Sequence, residues 1–469
     1  MNKGQNMLEG LRVIEFANFV AGPCCGRLLA DWGAEVIKIE PSFGDTMRIV
    51  GVQWNSPITE EENPLFENEN AGKKGIIVDA NTEEGKKIIY DLVKNADVFL
   101  TNTRQKALVK SKLDYSTLKE INPKIIYGHL LGYGEKGPAK DTPAFDYTAY
   151  FARGGIALGL MEKGTSPCNT AAAMGDHYAG MSLAAGILAA LHRREKLGIG
   201  EKVSVALFHT AVFGMGLPVV SAQYGYSMPI TRRMPPNPIN TTFKTQDEQW
   251  IQIAFFQYEK WFPNFCNIVI ERPDLIDGPY STLKGGIKGI NEFVPMLEEI
   301  FIQKPAKEWI KRLSEAGIPF EKLQTPGEIL EDEQCWANDY LFKHTYENGH
   351  EGILYNTPVL FEEYGIKEFV RAPKLGEHTE ETLKAMYAKG YLCEPHGAIA
   401  YQVLKDQLKA DETGIFLCTA HPAKFKESVE RILSLDLPLP EALDKHNKLP
   451  LLSDEMDDDF AQLRAYLLK

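Results

Sequence analysis

The chain has 469 residues, 44% of them hydrophobic and 25% charged, with a formal net charge of −13. That length exceeds one ordinary core and implies two or three domains. The composition is that of a soluble globular protein. The acidic balance argues against a nucleic-acid-binding protein, which ordinarily carries a basic face, yet leaves room for anionic ligands, which need only a few local cations. No apolar run reaches membrane-spanning length, and Met1-Asn2-Lys3-Gly4-Gln5-Asn6 lacks the apolar core of a signal peptide. The seven cysteines (Cys24, Cys25, Cys168, Cys266, Cys335, Cys393, Cys418) are scattered, with no CxxC pair. They read as reduced thiols of a cytoplasmic protein and argue against a zinc or other metal site.

In chain order, 11–16 reads as a strand, 18–23 as a loop, 24–32 as a helix closed by Gly33, and 34–39 as the next strand. The loop has no GxGxxG, so a dinucleotide is not specifically indicated. Strands at 75–79, 97–101 and 124–131 alternate with helices at 82–96 and around 106–110. This pattern predicts an α/β fold: a large, doubly wound, mostly parallel, Rossmann-like sheet covered on both faces. Ligands then gather beyond the C-terminal strand ends, where 16–23, 39–44, 102–104 and 132–146 fall. Lys73, Lys74 and Lys136 read as solvated charges.

Asp176, in Gly175-Asp176-His177-Tyr178-Ala179-Gly180, opens a helix over 177–194 that is apolar nearly all round and is expected to be buried. It is followed by a strand at 203–207. A carboxylate at a helix N-terminus feels the positive end of the macrodipole and can accept free N–H groups, both of which favour its ionised form. It reads either as a helix cap or as a carboxylate poised to attack a thioester. Prolines and a glycine at 224–240 mark a linker, after which a strand at 250–256 and helices at 291–301 and 306–316 indicate a smaller α/β domain. The expected division is 1–225 for the large domain, 226–330 for the small domain and 331–389 for a segment returning to the large one.

The strings Leu8-Glu9-Gly10-Leu11-Arg12-Val13-Ile14-Glu15-Phe16, Ala21-Gly22-Pro23, Gly33-Ala34-Glu35-Val36-Ile37-Lys38-Ile39-Glu40, Gly175-Asp176 and Leu375-Gly376-Glu377-His378-Thr379 together resemble the class III (family III, CaiB/BaiF) CoA-transferases. The resemblance spans roughly residues 8–388. Gly132-Tyr133-Gly134-Glu135-Lys136-Gly137-Pro138 and Phe145-Asp146-Tyr147-Thr148-Ala149-Tyr150 are similar to the 2-hydroxyacyl-CoA transferases of amino-acid-fermenting clostridia, of the 2-hydroxyisocaproate and phenyllactate types. The resemblance implies an interlocked, ring-shaped homodimer. It also implies coenzyme A as co-substrate, no metal, and a small carboxylic acid as acceptor, such as an (R)-2-hydroxy acid. The product would feed a 2-hydroxyacyl-CoA dehydratase.

By the same resemblance Asp176 is the covalent nucleophile, with Gly175 beside it supplying backbone N–H groups near the oxyanions. Phe19 and Val20 lie along the nucleotide and pantetheine. Val78 packs the adenine, Asn102 offers a backbone contact, and Arg104 and Lys110 are basic contacts. Phe145 lies near the thioester and Asp146 near the acyl group. Two cations of the oxalate-pathway relatives are replaced by Pro41 and Pro143, and their glycine-rich lid has no counterpart, which argues against formyl/oxalyl transfer.

From about Gly390 the resemblance changes. Tyr391-Leu392-Cys393-Glu394-Pro395-His396-Gly397 and Thr419-Ala420-His421-Pro422-Ala423-Lys424 resemble the C-terminal end of threonine synthase, where a position like Thr419 faces pyridoxal phosphate. The Schiff-base lysine lies far upstream in that family and is absent here, so no functional pyridoxal phosphate is expected. Residues 390–469 read as an appended fragment whose apolar runs at 432–439 and 449–452 have lost their original partner. Two rivals remain: an α-methylacyl-CoA racemase-like enzyme using an Asp/His acid–base pair, and an inert fusion chimera.

Overall fold

The computed structural model describes residues 6–378. The expectations for 379–469, including Thr379, Thr419, Cys393, Cys418, the apolar runs and the threonine-synthase-like fragment, lie outside the described residues.

Six strands, β1 (Arg12–Phe16), β2 (Glu35–Glu40), β3 (Lys74–Ile77), β4 (Val98–Thr101), β5 (Ile126–Leu131) and β6 (Glu201–Ala206), form one sheet. Their order is β3-β2-β1-β4-β5-β6 and every pairing is parallel. The order reverses between β1 and β4, which opens a crevice at their C-terminal ends. A parallel sheet must be covered on both faces, and it is. On one face Leu28, Leu29, Leu183 and Ile187 pack against Val13 and Leu130. On the other, Ile89, Val93, Leu108 and Leu118 cover Ile14, Phe99 and Tyr127. Each such side chain contributes about 1.5–3 kcal/mol when fully buried.

The first helix, Ala21–Asp31, begins three residues earlier than the sequence pattern indicated. Pro23 sits within its first turn, where an N–H would have no intrahelical acceptor anyway, so the ring costs little there. The helix Glu83–Lys94 starts where Thr82 accepts the Gly85 N–H at 3.0 Å. Helices Pro64–Asn70 and Tyr115–Ile121 escaped the sequence pattern because two turns carry too little periodicity.

The long helix runs Met174–Leu197 and ends at Gly198, whose φ of +70 permits the left-handed turn. It is buried along one face only. Tyr178, Ser182, Ala185 and Ala189 are exposed, contrary to the expectation of burial all round. Its outer surface, mostly small residues beside Tyr178, has no covering layer among the described residues.

A second core lies around the antiparallel sheet β7 (Thr242–Lys244), β8 (Trp250–Ile253) and β9 (Phe320–Lys322). Phe243, Ile251, Phe293, Phe301 and Trp309 fill it, and the Trp309 indole donates to Phe301 O at 2.8 Å. The hairpin β10 (Leu341–Thr345) and β11 (Glu351–Tyr355) follows. The chain then returns to the edge of the large sheet. Gly72 N–H donates to Val370 O at 2.7 Å and Gly75 N–H to His378 Nδ1 at 3.1 Å.

Charges lie buried inside the large sheet. Glu15 and Lys38 face each other in register across β1 and β2, and both are fully buried. Lys38 Nζ meets Glu15 Oε1 at 3.0 Å and Asp45 Oδ2 at 2.8 Å, and Lys73 Nζ meets Glu15 Oε2 at 2.8 Å. Lys73 also donates to Pro23 O and Asn70 Oδ1, so its reading as a solvated charge is corrected. Lys74 and Lys136 are exposed, as read.

Lys73→Ala leaves Glu15 with one counter-charge inside a dry core and is expected to cost roughly 3–5 kcal/mol. Lys74→Ala, on the exposed pair with Glu35, is expected to cost under about 1 kcal/mol. Urea unfolding of the two variants beside the parent chain measures the contrast.

Candidate active site

Close approach of two helices places Asp176. A Cβ on Gly180 would stand 2.9 Å from Ala21 O and 3.0 Å from Cys24 Cβ, so glycine there lets the long helix lie against the first. A Cβ on Gly175 would stand 2.4 Å from the Tyr150 ring, which fixes the first turn against the segment Asp146–Ala152. Asp176 is the third residue of the helix and hangs over the crevice between β1 and β4. The N-cap is Ala173, at φ +66, and no side chain caps the helix, so the cap reading of Asp176 does not hold.

The crevice is a cleft of about 300 Å³. Asp176, Asn102, Arg104 and Phe145, all named from the sequence, line it, and so do Asn18 and Lys140, which were not. Pro143 lines it as well, so Lys140 brings a cation within three residues of that proline. Phe19 lies at its border, with its ring 5.7 Å from that of Phe145. Val20 is buried in a small cluster with Met47 and Phe66. Val78 is a core residue under the opposite face of the sheet, and Lys110 is exposed on the helix Gln105–Ser111; neither lines the cleft. A second cleft of about 400 Å³ lies between Arg48, Phe66, Tyr346 and Arg371, and Asp176 does not line it.

Three carboxylates converge at the helix start. Asp146 is buried and accepts the Tyr147 N–H at 2.7 Å and a backbone bond from Ala173, while its Oδ2 has no partner among the described residues. Burial raises the Asp146 carboxyl above its ordinary range. Asp176 is pushed up to about 7, first by burial, then by the charge of Asp146, with Glu69 adding and His177 opposing. The expectation that the helix end favours the ionised form of Asp176 is therefore opposed by its surroundings. A helix terminus contributes about 0.3–1 kcal/mol, and up to ~2 kcal/mol when partly buried, which desolvation and two like charges outweigh.

His177 is turned away from the cleft. Its Nε2 lies 2.9 Å from Glu69 Oε1, and Tyr355 Oη approaches the same oxygen at 3.5 Å. Burial alone would lower the His177 pKa, but Glu69 dominates with Asp176 and Asp146, and the net shift is upward. His192, like His177 not assigned to catalysis from the sequence, is exposed near Glu195. Cys24, Glu69 and His177 offer three metal-ligand atoms within 4.8 Å of one another. His177 and Glu69 are already hydrogen-bonded to each other, and burial holds the Cys24 thiol well above its usual range.

The sequence matches the profile of CoA-transferase family III over residues 8–379 and that of the threonine synthase C-terminus over 397–467. It is 50% identical over 380 residues to an (R)-2-hydroxy-4-methylpentanoate CoA-transferase of Clostridioides difficile, covering 81% of this chain and 95% of that one. It is 44% identical over 391 residues to a cinnamoyl-CoA:phenyllactate CoA-transferase of Clostridium sporogenes, covering 82% and 95%. Its end is 89% identical over 91 residues to threonine synthase of Haemophilus influenzae, covering 19% of this chain and 21% of that enzyme. The fold matches a CAIB/BAIF family protein from Brucella suis with a TM-score of 0.69 at 29% identity, covering 82% of this chain and all of that one. No helix among the described residues is long and apolar enough to cross a membrane.

A carboxyl held near 7 when folded, against 3.8 ordinarily, makes the folded chain bind the extra proton between those values. Stability is then lost as pH rises through that window. Asp176→Asn has no such proton. Its thermal midpoint is expected to match the parent near pH 4 and to exceed it at pH 8, by roughly 2–4 °C for each kcal/mol relieved; scanning calorimetry across pH tests this.

Proposed function

The chain belongs to CoA-transferase family III, and we propose that it moves CoA from a 2-hydroxyacyl- or enoyl-CoA to a free (R)-2-hydroxy acid such as 2-hydroxyisocaproate, through covalent intermediates on Asp176. The observation that carries this reading is the placement of Asp176. Among the described residues its carboxylate is the one that lines the sheet crevice, with Asn102, Arg104 and Lys140 around the same cleft.

The ionised carboxylate attacks the thioester carbonyl, forming an acyl-aspartyl anhydride and releasing CoA thiolate. The thiolate returns to the aspartyl carbonyl, giving an aspartyl-CoA thioester and freeing the donor acid. The acceptor carboxylate then attacks that thioester, and the thiolate moves to the new acyl group, regenerating Asp176. Each step exchanges one acyl bond for another, so no general base is needed and covalent division lowers each barrier. Backbone N–H groups of the helix start, around Gly175, face the developing oxyanions. Arg104 and Lys140 suit the phosphates of CoA, with Phe19, Val20 and Phe145 along its body and Asp146 by the acyl group. Val78 and Lys110 stay candidates for the distant adenine end.

The relative named for 2-hydroxy-4-methylpentanoate supports a branched aliphatic hydroxy acid; the one named for phenyllactate favours an aromatic acid as the second reading. A racemase would need a histidine facing the substrate α-carbon, and His177 is engaged with Glu69 instead.

The working unit in this reading is an interlocked homodimer. Phe213, Leu217, Tyr224 and Phe256 are 84–91% exposed in one chain, more apolar surface than a lone subunit ordinarily leaves to water. A second copy would cover it. The chain divides into a large domain (1–225 with 331–389), a small domain (226–330) and an appended fragment (390–469) that is not a second active site. The product acyl-CoA would pass to a 2-hydroxyacyl-CoA dehydratase in the cytoplasm.

Incubation with acyl-CoA and hydroxylamine is expected to leave a hydroxamate on Asp176 in the intact mass spectrum. Asp176→Ala should show none and lose transfer by roughly 10³-fold or more. A folded parent chain with no adduct sinks the nucleophile assignment. Because Asp176 titrates near 7, the acid limb of kcat/KM is expected close to that pH, measured by a rate profile from pH 5 to 9.

A further inference from the structure

The turn that leaves β1 forms one side of the cleft, and its backbone is held at every step by groups on β2 and in the loops that follow β2 and β4. Lys38 Nζ donates to Ala17 O at 2.9 Å. Asn18 N–H donates to Asn102 Oδ1 at 3.1 Å, and Asn102 Nδ2 donates back to Asn18 O at 2.7 Å. Phe19 N–H donates to Asp45 Oδ1 at 2.9 Å. Phe19 sits at φ +66, a conformation that a bulky aromatic residue adopts only when its surroundings impose it.

Asp45 is the centre of that imposition. It is buried, and both of its oxygens face a partner: Oδ1 accepts the N–H groups of Phe19 and Met47, and Oδ2 forms an ion pair with Lys38 Nζ at 2.8 Å that lacks hydrogen-bond geometry. Its own N–H donates to Glu40 Oε2 at 2.8 Å. It does not line the cleft, so any effect on the ligand must pass through the turn.

We infer that Asp45 is a positioning residue for acyl-CoA: clamped by Lys38, it holds Phe19 in its strained conformation, so that the ring stands against Phe145 at the cleft and the pantetheine has a fixed wall to lie on. The inference rests on the reading of this cleft as the acyl-CoA site. An amide has one acceptor oxygen where Asp45 uses two, so Asp45→Asn must give up either the Phe19 N–H or Lys38. Loss of one charge-assisted hydrogen bond corresponds to about tenfold in an equilibrium.

The test uses the full chain and butyryl-CoA or another acyl-CoA that the parent protein turns over. Asp45→Asn is expected to raise KM for acyl-CoA about tenfold with kcat within about twofold, and hydroxamate formation at saturating acyl-CoA is expected to persist. Unchanged KM, or a fall in kcat alone, overturns the inference. Should Asp45→Asn fail to fold, Phe19→Gly serves instead, since it leaves the buried charges intact and relieves the backbone. Its KM must rise likewise, and an unchanged KM overturns the inference. Where both fold, the double variant should show less than the product of the two effects, and full multiplicativity counts against Asp45 acting through Phe19. A parent chain that binds no acyl-CoA in calorimetry removes the reading of the cleft itself; one that binds while the variants bind equally removes only the role of Asp45.

Discussion

Glu15, at the centre of the large sheet, uses one oxygen for Lys38 and the other for Lys73, and much of the molecule is arranged around that fact. Buried charges are tolerated only when paired and hydrogen-bonded, because desolvation would otherwise cost several kcal/mol per ion. Here the pairing reaches outward in every direction. Lys38 extends it to Asp45 and Ala17 O, Lys73 to Pro23 O and Asn70. The strand ends, the first helix and the turn between them are thereby fixed relative to one another. A purely apolar interior would hold the same layers together but would not set the register of the β1 turn.

At the cleft the electrostatic balance runs the other way. Asp146, Asp176 and Glu69 are gathered with His177 as their nearby cationic partner, and His177 is held on Glu69. Like charges in a partly dry site raise the basicity of a carboxylate, and a more basic carboxylate is a stronger nucleophile at the same ionised fraction. The paired network beneath the turn holds shape; in the proposed mechanism the under-paired carboxylates above it supply the reactivity.

The layered fold was legible because parallel strands and their covering helices each leave a distinct period in the sequence. Gly33 marked a helix end correctly, for the reason that favours glycine there. Asp176 stood out through its place before an apolar helix. Its protonation did not, because Asp146 and Glu69 come from 30 and 107 residues away in sequence, and only folding brings them near. Lys73 beside Lys74 looked like a solvated pair. Adjacent residues entering a strand point to opposite sides, however, so one of the two was bound to face inward. The Glu15–Lys38 match was available in the same way, since a strand buried on both faces has nowhere to send a charge except to a partner. Lys140 and Asn18 lie in loops expected to gather ligands, but no local pattern singles them out, and only the cleft does.

The return of residues 370–378 to β3 bears on how copies of this chain can meet. An edge strand of a parallel sheet presents free backbone groups to any extended peptide and is a standing invitation to add strands. Here Gly72 and Gly75 have their N–H groups taken by Val370 and His378, and Pro373 lies so close to Gly75 that a Cβ there would stand 2.9 Å from its ring. Proline cannot pass the ladder on. That edge of the sheet is sealed against edge-to-edge strand addition, by backbone partners on one side and a proline ring on the other.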